Sequence, residues 1–235
     1  MTTLSLDLAG ERLVLDGRGA VLWPARRLMI VADLHLQKGQ AFAATGRFLP
    51  PYDTRATLAR LVELLNDHRP DHVISLGDGF HRRDGFAGLC AEDRAQLDAI
   101  ACVCAWTWLA GNHDPTAPAD HGEAAVEPLV LGPLTLRHMP ATSTAIGEIA
   151  GHLHPKAVVR VRGRRIARPC FVTDGRRLLL PALGTLSGGL DVWQPAIATL
   201  FDDAFEAILC GRDGKLRRLP ATRLEGAPRR ATSPP

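Results

Sequence analysis

Asp33 and His35 stand two residues apart at the end of the apolar run Leu28-Met29-Ile30-Val31-Ala32. A carboxylate and an imidazole are both metal ligands. In a pleated strand residues i and i+2 point to the same side, so both side chains can reach one ion beyond the strand tip. Later apolar runs end in the same chemistry: Gly77-Asp78-Gly79, Gly111-Asn112-His113-Asp114, a lone His138, and Gly151-His152-Leu153-His154. Oxygen and imidazole donors with no cysteine in these loops suit Mn2+, Fe2+, Zn2+ or Co2+ and not a thiolate site. Asp33, His35, Asp78, Asn112, His138, His152 and His154 offer more donors than one tetrahedral ion takes, and fit two ions that share a carboxylate.

The elements that must position these residues follow from periodicity. Residues 4–8, 13–16 and 20–23 read as short opening strands separated by glycine-containing turns, and residues 28–32 as a buried strand. From Asp53 the period changes: Leu58, Leu61, Val62 and Leu65 recur at helical spacing, Asp53 is placed as the N-cap and Pro70 ends the run. Residues 72–76 predict a strand, 92–100 a helix and 103–110 a strand, which gives a βαβαβ order with parallel strands. Open α/β sheets bind ligands at the carboxyl ends of their strands, where these polar loops converge. The second half reads as short strands at 129–130, 134–137, 146–150, 157–161, 168–172 and 177–180, with a closing hairpin from 204–210 and 215–219 around Asp213-Gly214. A single domain is expected over 1–220, and 221–235 is expected to be an unpacked basic, proline-containing tail.

Composition sets the outer bounds. A hydrophobic content of 46% and a charged content of 23% describe a globular chain. No apolar run approaches the roughly 20 residues needed to cross a bilayer, and the N-terminus carries no signal-peptide pattern, so no membrane partner and a cytoplasmic location are expected. Five cysteines, two of them at Cys102 and Cys104, do not form a disulfide framework and read as free thiols. The net charge of +3 is a property of the C-terminus, because residues 211–235 carry a surplus of five positive charges and the rest sums to −2.

Taken in order, these five motifs resemble those of the calcineurin-like metallophosphoesterase superfamily across residues 28–154. The segment Leu180-Pro-Ala-Leu-Gly-Thr-Leu-Ser-Gly-Gly-Leu190 and the compact size resemble the bacterial ligase-associated DNA-damage-response endonucleases of the PdeM type. The resemblance implies an α/β fold, a four-layer sandwich of two mixed sheets flanked by helices, with the metal site at strand C-terminal ends. It implies that Asp33, His35 and His154 bind one ion, that Asn112, His138 and His152 bind a second, and that Asp78 bridges both. His113 then matches the family's general acid or phosphate contact, with Asp114 orienting it. The implied activity is hydrolysis of DNA phosphodiester bonds by in-line attack of a metal-bridging hydroxide, with two divalent ions, Mn2+ first among them, in DNA repair. The alternatives are a hydrolase of small phosphodiesters, phosphomonoesters or phosphoprotein, and a non-catalytic scaffold that keeps the fold.

The rim speaks to substrate. After Asp78 the loop reads Gly79-Phe80-His81-Arg82-Arg83, which departs from the common family pattern; His81 and Arg82 are the substrate-contact candidates, with His81 fitting a backing or surface role equally. Lys156, Arg160, Arg162, Arg164, Arg165 and Arg168 form a basic run directly after His154, expected beside the metal crevice, where it would attract an extended polyanion or else stand as a solvated hairpin. With aromatic residues at 5%, a base-stacking platform is not evident, so backbone recognition of DNA, including single-stranded DNA, or of RNA is expected, with a DNA ligase or repair assembly as partner. His68, His72 and His121 lie outside the motifs and read as structural or exposed.

Overall fold

The computed structural model describes residues 2–43, 45–46, 52–83, 85–114, 121–143, 145–201 and 204–227. Three antiparallel strands, β1 (Thr3–Leu8), β2 (Glu11–Asp16) and β3 (Val21–Trp23), feed into β4 (Leu28–Val31). Past β4 come α1 (Lys38–Ala43), α2 (Asp53–His68), β5 (His72–Ser75), α3 (Ala91–Ala101), β6 (Ala105–Leu109) and β7 (Glu123–Ala125). The first sheet runs β1 to β7 in chain order, with β4, β5, β6 and β7 parallel. The second half builds β8 (Leu129–Leu131), β9 (Leu134–Arg137), β10 (Glu148–Ala150), β11 (Lys156–Val161), β12 (Arg164–Thr173), β13 (Arg177–Leu179), α4 (Pro195–Ala198), β14 (Glu206–Cys210) and β15 (Leu216–Pro220). Their order is β15-β14-β12-β13-β10-β9-β8, with β11 on β12 and with β9, β10 and β13 parallel.

The uniform apolar run of β4 follows from its position between two layers. Leu28, Ile30 and Ala32 pack between the sheets with Leu136, Ile149, Phe171 and Ile208, while Met29 and Val31 face Leu58, Leu61 and Leu97 of α2 and α3. A strand covered on both faces has no polar side to show, which is why alternation is missing there. The outer face of the second sheet is closed by Ile197 of α4 together with Val192, Phe201, Phe205 and Leu224. These are the four expected layers, the last of them thin. Among the described residues no helix is long and apolar enough to cross a membrane.

Several local expectations are corrected. Asp53 is the first residue of α2 and not its cap; Tyr52 holds the cap position, and Asp53 Oδ2 instead accepts the Gly39 N–H at 3.0 Å, tying down α1, which has no apolar period of its own. The strand expected from 103 begins at Ala105; Val103 and Cys102 are exposed in the turn after α3. Chain packing also continues past Pro220. Ala221 and Leu224 are buried, the Glu225 N–H donates to the Val158 carbonyl, and the Glu225 carboxylate pairs with Arg160 and Arg165 at 3.0 Å each. Residues 228–235 of the expected tail lie outside the described residues.

Candidate metal centre

The backbone leaves β4 in an unusual form. Asp33, His35 and Gln37 have φ of 55, 44 and 66°. These alternate left-handed residues, and not a pleated strand tip, turn Asp33 and His35 to the same side. Asp78, His152 and His154 also sit at positive φ, 48, 68 and 45°. Five of the seven expected donors therefore occupy a conformation that disfavours any residue with a Cβ, which persists only where the surroundings over-determine it. Here they do. The His35 N–H donates to the Asp78 carbonyl and the Leu36 N–H to that of Gly79, both at 2.9 Å, so the loops after β4 and β5 are laced together. Residues 180–190 form a strap behind them, with Leu183 N–H on the Ala32 carbonyl at 2.9 Å and Gly184 N–H on that of Asp33 at 3.1 Å. Gly111 and Gly151 allow the closest approaches: a Cβ on Gly111 would collide with Asp78, and one on Gly151 would stand 2.8 Å from Asp33 Oδ2.

All seven expected donors come together. His35 Nε2 and His154 Nε2 are 3.1 Å apart, and His154 Nε2 is 3.2 Å from Asp33 Oδ1. In a second group His138 Nε2 lies 2.9 Å from Asn112 Oδ1 and 3.1 Å from His152 Nδ1. Between the groups, Asp78 Oδ2 is 3.9 Å from His35 Nε2 and 3.6 Å from His138 Nε2. Asp33 and Asp78 are almost wholly buried.

Three observations test whether these residues suit cations. Ligand atoms about 2.1 Å from one ion lie roughly 3 Å from each other, which is the spacing inside both groups. Asp33 Oδ1 is buried with no hydrogen-bond partner, while Oδ2 accepts the His152 N–H at 2.8 Å. His138 Nδ1 lies 2.8 Å from the Leu76 carbonyl, so in a neutral ring Nδ1 carries the proton and the Nε2 lone pair faces Asn112 Oδ1. Two lone pairs at that range repel unless a cation lies between them. The residues fit divalent metal ions. Burial, reinforced by His154 and Lys38, pushes His35 down to a pKa of about 2, keeping its imidazole neutral and available as a ligand.

The rim is less as expected. His113 is part-exposed, its N–H on Asp78 Oδ1 at 2.9 Å and its Nε2 4.0 Å from Asp78 Oδ2, so its ring borders the donor cluster. Asp114 does not hold that ring. One carboxylate oxygen accepts the Phe80 N–H at 2.8 Å and the other has no partner, so Asp114 positions the loop after β5 instead. Burial raises its pKa to about 7. His81 stacks on His113 with centroids 4.6 Å apart, and the Phe42 ring stacks on His81 at 5.9 Å. Burial, then His113 and Lys38, lower the His81 pKa to about 4. His35, His81 and His113 thus gather three imidazoles at the open side. Arg82 is exposed on the same loop.

Of the basic run only Lys156, the first residue of β11, stays beside the donors. β11 and β12 form a hairpin that turns at Arg162-Gly163, about 20 Å farther along at 3.3 Å per residue. Lys38, at the start of α1, was not anticipated. Burial pulls its pKa down while Asp33, Asp78 and Asp53 pull it up, so its ammonium looks onto the site. Its signal was hidden because α1 has no periodicity to announce it. His68, His72 and His121 are structural, on Asp16, Thr107 and Asp98.

Residues 26–165 match the calcineurin-like phosphoesterase family. The chain belongs to that family. As a calcineurin-like phosphoesterase it is a metal-dependent hydrolase, and the two donor groups lie where its strands end. The crystal structure of Pseudomonas putida nuclease MPE is 33% identical, covers 92% of this chain and 100% of its own, and superposes with a TM-score of 0.71. More distant are the phosphoesterase YfcE from E. coli, at 16% identity, 82% and 97% coverage and a TM-score of 0.39, and zinc-bound Vps29 from Entamoeba histolytica, at 15%, 82% and 97%, and 0.34. No curated protein is significantly similar to the chain.

Proposed function

We propose that this phosphoesterase is a dinuclear phosphodiesterase that cuts DNA, with manganese as its working metal. The observation that carries the reading is the position of Asp78, whose Oδ2 stands within 4.0 Å of an imidazole nitrogen in each donor group. Asp33, His35 and His154 would hold one ion, Asn112, His138 and His152 the other, and Asp78 would be shared. Two divalent cations bound there supply a water of lowered pKa and neutralise charge on a phosphoryl oxygen.

The chain's own residues do the remaining work. His113 is open enough to meet a substrate and close enough to the donors to pass a proton to a departing alkoxide oxygen. Its stacking on His81 fixes the plane of the ring without a carboxylate behind it. Lys38 and Lys156 place positive charge on the rim, where an anionic diester approaches. Nucleic acid as substrate is supported by the likeness to nuclease MPE of Pseudomonas putida, and a place in DNA repair beside a ligase by the strap at 180–190.

The test is a panel on the full chain, stripped with EDTA and titrated with Mn2+. Hydrolysis of bis(p-nitrophenyl) phosphate well above p-nitrophenyl phosphate, together with nicking of plasmid, is expected. A monoester preference, with plasmid and single-stranded DNA left intact, overturns the nuclease reading in favour of a small phosphoester substrate.

A further inference from the structure

A polar cavity of about 480 Å³ opens where turns of the two sheets meet. Its walls include Arg18 from the β2–β3 turn, Arg60 from α2, Arg168 from β12, Arg212 from the β14–β15 turn, and Pro181 and Ala182 from the strap. Among the described residues no carboxylate lines it. Arg18 is already neutralised, by Asp16 and Asp67 at 2.8 Å each. The other three guanidiniums have no ion pair among the described residues: Arg60 donates to the Leu183 carbonyl at 2.9 Å, and Arg168 to that of Ala167 at 2.8 Å. Arg60 and Arg168 are half-buried. Arg212 is exposed; the half-buried Arg60 loses water without gaining a counter-charge, which is unfavourable, so the cavity beside it, rimmed by two further unpaired guanidiniums, marks a place for an anion. Burial pulls the Arg60 guanidinium below its ordinary pKa, which is the strain an incoming anion would relieve.

The cavity lies at the metal end of the molecule. β3 is antiparallel to β4, so the turn before β3 sits at the C-terminal end of β4, and Cys210 and Pro169 flank the end of β13 beyond which the strap begins. The strap joins the two places: Leu183 accepts from Arg60 on its carbonyl and donates its N–H to the carbonyl of Ala32, next to Asp33. Planar guanidiniums bind phosphate oxygens through paired N–H groups. We propose that Arg60, Arg168 and Arg212 form a subsite for a backbone phosphate of the nucleic-acid strand whose scissile phosphate lies at the metal centre. The inference rests on the nuclease reading and deepens it: the substrate is an extended strand gripped at two places, not a small diester.

The test is binding of a fluorescent single strand of about 20 nucleotides, with phosphorothioate linkages that keep the charge and resist hydrolysis, to the manganese-loaded full chain across a salt series. Arg168→Gln combined with Arg212→Gln is the informative variant, since both side chains reach solvent; Arg12→Gln with Arg26→Gln removes the same charge at the opposite end. For the first pair, Kd should rise about tenfold, and the slope of log K against log salt should shrink by roughly 1.4, the loss of two phosphate contacts. The control pair should leave both nearly unchanged. An unchanged Kd and slope in the first pair, or an equal loss in the control, overturns the subsite. Failure of the nuclease reading shows separately, as wild type that binds the strand yet never cleaves unmodified DNA.

Discussion

Asp114 Oδ2 accepts the backbone N–H of Phe80 at 2.8 Å, clamping the loop after β6 to the loop after β5. The carboxylate is thus a brace for the peptide that presents Asp78 and His81, and an amide of the same shape can serve. Asp114→Asn is expected to keep most activity and an unshifted pH–rate profile. Asp114→Ala leaves a buried N–H unmet and should cost about 1–3 kcal/mol of stability, with a lower Tm and a slower enzyme. A loss of several orders of magnitude in Asp114→Asn, with a displaced pH profile, would instead show that the carboxylate serves His113 directly.

Removing metal leaves His138 and Asn112 with facing lone pairs and Asp33 Oδ1 without a partner. Adding back Mn2+ should therefore raise Tm, by the equivalent of about 2.7 kcal/mol when free ion is a hundredfold above Kd. His154→Ala or Asn112→Ala should each lower the bound metal per chain, read by elemental mass spectrometry, and abolish turnover. Unchanged stoichiometry in both variants would place the ions elsewhere.

Glu148 and Arg177 form a buried ion pair at 2.8 Å, and Arg177 also donates to the carbonyls of Ala141, Ser143 and Leu200. The pair anchors two loops against the second sheet, one of them following His138. Glu148→Gln strands a buried cation and should cost about 3–5 kcal/mol, seen as a lower urea midpoint, while the folded fraction keeps its activity in the cold. A midpoint within error of wild type would refute the anchoring role.

Asp16 is held by Arg18 through its N–H, Nε and a terminal guanidinium nitrogen, and by His68 Nε2. Burial alone would raise its pKa, but the Arg18 bonds outweigh it and the carboxyl titrates below 3.8. Because the folded value is the lower one, the contribution to stability is present above the unfolded pKa near 3.9 and is lost as pH falls through the folded value. Asp16→Asn should be less stable than wild type at neutral pH, and the gap should close as the pH falls through the depressed folded value. A gap that persists undiminished into acid would rule out titration of Asp16 as its source.

What could be read in the sequence was what depends on near neighbours along the chain. The uniform burial of β4 and β5 and the polar residues that end them are local patterns, so the parallel core and the seven candidate donors were legible. The left-handed turns at Asp33, His35, His152 and His154 were not, because no side chain there advertises a positive φ; contacts with the strap and with Gly77 to Gly79 impose it. The same holds for α1, fixed by Asp53, and for the end of the packed chain, where Glu225 meets Arg160 and Arg165. The basic run misled for a related reason: charge is visible in sequence, but the direction of a hairpin is not.

Each donor group draws on both sheets. Asp33 and His35 leave the first sheet and His154 the second; Asp78 leaves the first, and His138 and His152 the second. A growing chain that has finished its first seven strands therefore carries Asp33 and His35 without His154, and Asp78 and Asn112 without His138 and His152, and neither partial set gathers an ion as the whole does. The hydrolase stays silent until the second sheet closes on the first. A hydrolase built this way carries no complete set of candidate donors before its own fold is complete.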